Sequence, residues 1–245
     1  MKSIVVIPAR MTSSRLPGKP LVDILGKSLI QRTYEQCLKA IPASRIYVAT
    51  EDKTIYTHCK ERNIQVLMTS KNCLTGTDRV AEVAQQIDAD YYINVQGDEP
   101  LINPRDIIEV EKSINTYEGE IINGFAPIVN EELYRSLTIP KVVCRPDGRL
   151  LYMSRSPIPG NKKNEFMKSW KQVCVYAFPK KALFEFSSLR YKTELEEIED
   201  LEILRFLEMG YEVRMIPLSK DSIAVDTPED VLKVVSKLKK NYGRK

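Results

Sequence analysis

The sequence predicts an α/β protein: a doubly wound, mostly parallel sheet with helices on both faces, and a smaller mixed or antiparallel β extension. Three observations predict it. Through the first half, short β-branched apolar runs alternate with longer amphipathic stretches. From about residue 120 the amphipathic stretches give way to strand-like runs separated by turn residues. Near residue 194 the alternation of helix and strand returns.

Residues 3–9 (SIVVIPA) read as a buried strand. Residues 29–41 (LIQRTYEQCLKAI) read as a helix with Leu29, Ile30, Tyr34, Cys37, Leu38 and Ile41 on one stripe, and residues 45–50 (RIYVAT) as the next strand. Residues 54–63 then 64–69, and 77–87 then 91–100, repeat the alternation, the pattern of parallel strands joined by helical crossovers. Residues 121–129, 140–155 and 171–178 read as strands, with Pro146, Asp147 and Gly148 marking a turn inside the second run. Residues 194–218 read as helix then strand, with Gly210 as the helix stop. The closing helix takes Thr227 as cap, Pro228 as its first residue and Asp230 as its third. Residues 239–245 (KKNYGRK) are expected to fray.

Composition narrows the functional classes. With 245 residues, 43% hydrophobic and 29% charged, the chain is large enough for one full core. There is no repeat, low-complexity tract or Ser/Gly linker to divide it. A net charge of +4 is too mild for a nucleic-acid-binding protein. Cys37, Cys59, Cys73, Cys144 and Cys174 are odd in number and form no Cys-x-x-Cys pair, which speaks against a disulfide framework or a zinc site and for a reducing cytoplasm. No run of about 18 apolar residues occurs, so the chain is expected to be soluble, untargeted and free of membrane spans.

The chemistry concentrates after the first strand. Residues 7–20 (IPARMTSSRLPGKP) gather Arg10, Arg15 and Lys19 on a loop too rich in Pro, Ser and Gly for a helix. Such triplets on a surface are most often solvated. In an open parallel sheet, however, ligands sit beyond the carboxyl ends of the strands, and this loop occupies that place. Two guanidinium forks, an ammonium and the backbone N–H groups of residues 12–14 make a receptor for a triphosphate. The loop carries neither the Gly-x-x-x-x-Gly-Lys-Ser/Thr pattern nor a dinucleotide fingerprint, since Gly18 is its only glycine. Asp98, in residues 94–100 (NVQGDEP), follows a glycine at a strand end, a common way to hold Mg²⁺ beside phosphates. Asp226 precedes the Thr227 cap and is therefore available as a second carboxylate.

Five stretches, IPARMTSSRLPGKPLVDILGK, TGTDRVAEVA, NVQGDEPLI, LYMSRSPIP and VDTPED, occur in this order over essentially the whole chain. Together they resemble the 3-deoxy-manno-octulosonate (Kdo) cytidylyltransferase family, also called CMP-Kdo synthetases. The resemblance implies a Rossmann-like nucleotidyltransferase fold and CTP as a substrate. It implies that Pro8, Ala9, Arg10, Ser14, Arg15 and Lys19 bind the nucleotide, joined by Thr75, Gly76, Thr77, Asp78, Arg79, Gln96 and Asp98. It further implies that Asp98 and Asp226 hold Mg²⁺, and that Arg10, Arg15, Lys19, Asp98 and Asp226 are the catalytic set. Gln96, Arg155, Gln172, Tyr176, Glu199, Glu202 and Ile203 match positions facing the sugar acid. A nucleotide-binding part over about 1–120 plus 211–240 and a sugar-binding and dimerisation part over about 121–210 are implied for the single domain, with a homodimer as the assembly.

The implied reaction is attack of an anomeric hydroxyl on the α-phosphorus of CTP, with pyrophosphate leaving, in the service of lipopolysaccharide or capsule synthesis. His58, the only histidine, lies in a polar helical run and is expected at the surface, so positioning and electrostatics carry the catalysis. Two departures concern the acceptor: Gln172 replaces a histidine of the family, and Ile203 a glutamine. The resemblance implies Kdo or a close relative such as an amino analogue as acceptor, and the two departures leave a different sugar acid as the alternative. Within residues 194–200 (ELEEIED), Glu194, Glu197 and Asp200 read as a solvated face, unlike Glu199. Two other classes remain: an oxidoreductase, for which Glu51 and Asp52 supply an acidic ribose partner but no glycine fingerprint accompanies it, and a non-catalytic CTP or sugar sensor, against which the retained Asp98 and Asp226 speak.

Overall fold

Strand β1 (Ser3–Pro8) lies between β2 (Ile46–Thr50) and β4 (Tyr91–Val95), parallel to both, in the computed structural model, which describes residues 1–220 and 222–242. Every residue of β1 and β4 is buried, as expected of strands covered on both faces. β3 (Val66–Met68) adds outside β2, also parallel, completing the predicted doubly wound unit.

The crossovers begin where side chains cap them. Helix α1 (Leu29–Leu38) starts at Ser28, whose hydroxyl accepts from Gln31 N at 3.3 Å, and α2 (Lys53–Glu61) at Asp52, which accepts from Thr54 N and Ile55 N. α3 (Gly76–Gln86) opens on a capping box between Thr75 and Asp78. α1 is shorter than its apolar stripe predicts. It ends at Leu38, which is exposed, while Ile41 is buried in the following turn. A helix not anticipated in the sequence, α4 (Pro104–Thr116), carries its own signals: Asn103 as cap, Pro104 at the first position and buried Ile107, Val110 and Ile114.

In the second half, β5 (Ile121–Pro127) pairs antiparallel with β8 (Trp170–Pro179), which is itself antiparallel to β4, and β9 (Val213–Pro217) pairs parallel with β5. The order is β3-β2-β1-β4-β8-β5-β9. Two of the strands expected in an extension thus belong to the main sheet. Only the hairpin of β6 (Lys141–Cys144) and β7 (Leu150–Ser154) stands off it, attached through β6 to β8. The predicted turn joins the hairpin, with Gly148 at φ 87°.

A short α5 (Glu131–Arg135) precedes the hairpin, and α6 (Lys180–Ser188) follows β8. The single helix expected after residue 194 is two, α7 (Glu194–Glu199) and α8 (Ile203–Glu208), broken at Asp200, whose φ is 50°. The cause is tertiary. Arg155 donates to the carbonyls of Glu199 at 2.6 Å and Asp200 at 3.1 Å, groups that a continuous helix would have paired internally. Gly210 ends α8 at φ 83°, as predicted.

One core packs Val5, Ile7, Ile93 and Val95 against α1 and α4, and the other packs Ile4, Val6 and Tyr92 against α3, α6 and α8. α9 (Pro228–Tyr242) forms a third cluster, placing Val234 with Val225, Ile24 and Leu29. Thr227 caps it by accepting from Asp230 N at 3.4 Å. The chain is helical to Tyr242; the rest of the expected frayed tail lies outside the described residues. No described helix is long and apolar enough to cross a membrane.

Candidate active site

A cleft of about 760 Å³ opens at the carboxyl ends of β1 and β4, between the loop after β1, the N-terminus of α3 and the turn between α7 and α8. Its floor depends on one close approach. A Cβ on Gly97 would lie 2.7 Å from Pro8 O, so only glycine lets the two strand ends meet there. Ala9 N bonds Ala49 O at 2.9 Å, fixing where the basic loop departs. Gly18 takes φ 68°, and the turn that follows (Lys19–Leu21) points Lys19 inward.

Lys19 is the centre of the site. Its ammonium lies 2.6 Å from Asp98 Oδ2 and 3.1 Å from Asp226 Oδ1. Burial alone would depress it, but Asp98 and then Asp226 more than offset this and hold its pKa above the ordinary lysine value. Arg15, largely exposed, reaches Asp226 Oδ1 at 3.1 Å. Val225 N donates to Asp98 O at 2.9 Å, so the two carboxylate-bearing segments are joined through the backbone as well.

The opposite wall is tied to α3. Glu202 accepts from Gly76 N at 3.0 Å, Thr77 N at 2.8 Å and the Thr77 hydroxyl. Burial raises the pKa of its carboxyl, and the bonds from Thr77 and Gly76 moderate the rise. Gly76 lies against Pro8, Gln96 and Glu202. Behind it Arg205, fully buried, joins Glu196 at 2.5 Å and Asp78 at 3.2 Å. Arg79 pairs with Glu51 at 2.6 Å and with the Thr69 hydroxyl, while Asp52 caps α2. Both acidic residues that a ribose-binding role would need are therefore engaged elsewhere.

The structure gathers most of the expected nucleotide residues. Pro8, Ala9, Arg10, Ser14, Arg15, Lys19, Thr75, Gly76, Arg79, Gln96, Asp98 and Asp226 line the cleft, and Thr77 sits behind it on Glu202. Of the acceptor set, Gln96 and Glu202 line the cleft. Glu199 instead accepts from Ser154 Oγ at 2.5 Å and Arg155 N at 2.9 Å, and the Arg155 guanidinium is occupied by the carbonyls of Glu199, Asp200 and Leu137. Gln172 donates to Asn123 Oδ1 at 3.0 Å, and Tyr176 stacks on Phe178 with centroids 5.6 Å apart. Ile203 does not face the cleft. It is 2% exposed in the core packed on α3, because the break at Asp200 sets the face that α8 turns inward. His58 is partly buried rather than fully at the surface, with Nε2 2.8 Å from Ser28 Oγ.

Two charged cleft residues escaped the sequence reading. Lys192 joins Asp200 at 3.0 Å on the wall opposite the basic loop. Asp200, read as solvated, is indeed exposed yet lines the cleft. Its carboxyl is held below the ordinary range by the bond from Lys192, with Arg155 and Arg10 adding to the effect. Lys192 lies in an irregular turn with no motif around it, so no local signal marked it.

Two carboxylates that share one ammonium are a suitable donor set for a hard divalent cation completed by phosphates and water. Among the described residues no three His, Cys, Asp or Glu side chains converge into an all-protein metal cage.

Residues 4–216 match the family model described as Cytidylyltransferase. The chain is 40% identical over 237 residues to a 3-deoxy-manno-octulosonate cytidylyltransferase of Protochlamydia amoebophila, covering 94% of this chain and 91% of the relative. It is 41% identical over 244 residues to that of Chloroherpeton thalassium, covering 98% and 99%. Among solved structures it resembles a CMP:2-keto-3-deoxy-manno-octonic acid synthetase complexed with CTP, with a TM-score of 0.91 at 35% identity over 98% of this chain and 100% of that one.

Proposed function

The chain belongs to the 3-deoxy-manno-octulosonate cytidylyltransferase family, and from that premise we propose that it transfers the cytidylyl group of CTP to the anomeric hydroxyl of Kdo, releasing pyrophosphate. The hydroxyl oxygen forms a bond to the α-phosphorus as the bond from that phosphorus to the bridging oxygen of the β-phosphate breaks. The observation that carries the reading is the convergence of Lys19 and Arg15 with Asp98 and Asp226 at the strand ends.

The basic loop receives the triphosphate. Lys19 and Arg15 are each bound to Asp226, so both are already oriented in the cleft, and in-line transfer depends on positioning and charge stabilisation. Arg10 faces the same space across from Asp200. Asp98 and Asp226 would hold Mg²⁺. When bound, that ion offsets the phosphate charge and favours loss of a proton from the attacking hydroxyl. Glu202 fixes the start of α3, where Gly76 and Thr75 border the nucleotide space.

The protein works as a homodimer in the cytoplasm. Val129, Leu137, Leu151 and Met167, between 56% and 76% exposed, all fall in the chain segment that contains the β6–β7 hairpin, and a second copy would bury them. Sedimentation of the parent and of Leu151→Asp tests this: the parent should run as a dimer and the variant as a monomer.

Pyrophosphate release from CTP and Mg²⁺ tests the reaction, with Kdo, an 8-amino analogue or no acceptor. Release should require an acceptor, and Asp98→Asn and Asp226→Asn should each abolish it while leaving the circular dichroism spectrum unchanged. Full activity in both variants would overturn the assignment.

A further inference from the structure

Asp98 stands three residues past the end of a fully buried strand, whereas Asp226 belongs to the connection between β9 and α9, whose described residues form no helix or strand. Two carboxylates brought to one cation repel each other, and a free connection would let the second drift away. The Val225 N–Asp98 O bond holds that connection at one point, and the rest of it needs anchors of its own.

Two serines of that connection end on buried carboxylates. Ser219 donates from its backbone N to Asp106 Oδ1 at 3.0 Å and from its hydroxyl to Asp106 Oδ2 at 2.6 Å. Ser222, three residues later, donates from its hydroxyl to Glu99. Asp106 is 4% exposed and Glu99 6%. Both acceptors sit on rigid elements of the scaffold: Asp106 in the first turn of α4, and Glu99 directly after Asp98. Val225, fully buried beside Ile24 and Leu29, then delivers the chain to Asp226.

We propose that Ser219 with Asp106 and Ser222 with Glu99 form two clasps that position Asp226 against Asp98, so that both carboxylates reach one cation. None of the four side chains needs to touch the substrates; they are positioning residues. The inference rests on the function proposed above. It adds that the cation affinity of the site is set by groups behind it, as supporting shells set it at other metal sites.

The probe is Mn²⁺ in the presence of CTP, read as loss of the free-ion paramagnetic resonance signal, beside the Mg²⁺ dependence of turnover. In Ser219→Ala/Ser222→Ala the Mn²⁺ Kd and the Mg²⁺ concentration for half-maximal rate should rise about tenfold or more. CTP binding measured without divalent ion should stay as in the parent, and Ser222→Thr, which keeps a hydroxyl, should restore most of the loss seen in Ser222→Ala. A clasp that merely stabilised the fold would lower Tm without moving the cation affinity. Parental Mn²⁺ affinity in the double variant overturns the proposal, as does a Ser222→Thr variant no better than Ser222→Ala. If the double variant does not fold, Ser222→Ala is read alone by the same criteria. Asp98→Asn separates the two levels: Mn²⁺ binding retained there defeats the cation site itself, whereas its loss there with unaffected serine variants defeats only the clasps.

Discussion

Lys19 and Asp98 are 79 positions apart in the chain and 2.6 Å apart in space, and the same ammonium reaches Asp226, 207 positions from it. The lysine therefore neutralises the carboxylate pair as well as lining the cleft. Lys19→Met should have two opposite effects. Turnover should fall by about 10²-fold or more, since a preorganised charge at the reacting phosphates is lost. Mn²⁺ binding without nucleotide should tighten, since both carboxylates are released from the ammonium. Weakened Mn²⁺ binding would show that Lys19 does not compete with the cation.

Arg15 is about half exposed and pairs with a partly exposed Asp226, so the pair contributes at most about 1 kcal/mol to stability. Arg15→Ala should leave Tm nearly unchanged and weaken CTP binding about tenfold, or 1.4 kcal/mol. Calorimetric titration and a melting curve check both. A large drop in Tm with parental CTP affinity would assign Arg15 a structural role.

Arg205 and Glu196 are both buried and joined at 2.5 Å, with Asp78 as the third member. Removing one partner strands the other charge in the interior. Glu196→Ala should cost about 3–5 kcal/mol by urea unfolding. Because Asp78 also closes the α3 capping box, nucleotide affinity should fall as well.

Ile203 is a core residue, so introducing the glutamine that the family resemblance implies at this position should not retune the acceptor. Ile203→Gln should destabilise the protein by about 2–4 kcal/mol, as an amide is buried without partners. The ratio of kcat/KM for Kdo and its 8-amino analogue should stay as in the parent. A shift in that ratio at unchanged stability would put Ile203 in the acceptor site after all.

Burial, with the nearby charge of Asp98 adding to it, pushes the Glu99 carboxyl up to about 7. A folded pKa raised above the unfolded value of about 4.3 contributes stability that is complete below that value and lost as pH rises toward 7. Glu99→Gln keeps an acceptor for Ser222 and removes the titration. The variant should gain on the parent between pH 5 and pH 8, by about 4 kcal/mol at most. Parallel stability–pH curves for parent and variant would rule this out.

Each feature legible in the sequence was carried by residues close together in it. The 3.6 and 2-residue periods placed the first four strands and the three helices between them, and Thr75, Thr227 and Gly210 marked boundaries that the structure keeps. The basic loop reads as a candidate anion receptor because its charges lie within ten residues, and the ordered motifs identified the family. What the sequence left open depended on contacts between distant segments. Whether β5 and β8 belong to the main sheet is decided by pairing across it, which no local period records. The break at Asp200 comes from Arg155, 45 positions earlier, and that break turns Ile203 inward. The meeting of Lys19, Asp98 and Asp226, and the serine clasps behind Asp226, exist because the topology returns separate strand ends to one edge. Periodicity and loop composition act over one or two turns of chain, whereas the site is built from charges whose separation only the folded sheet fixes.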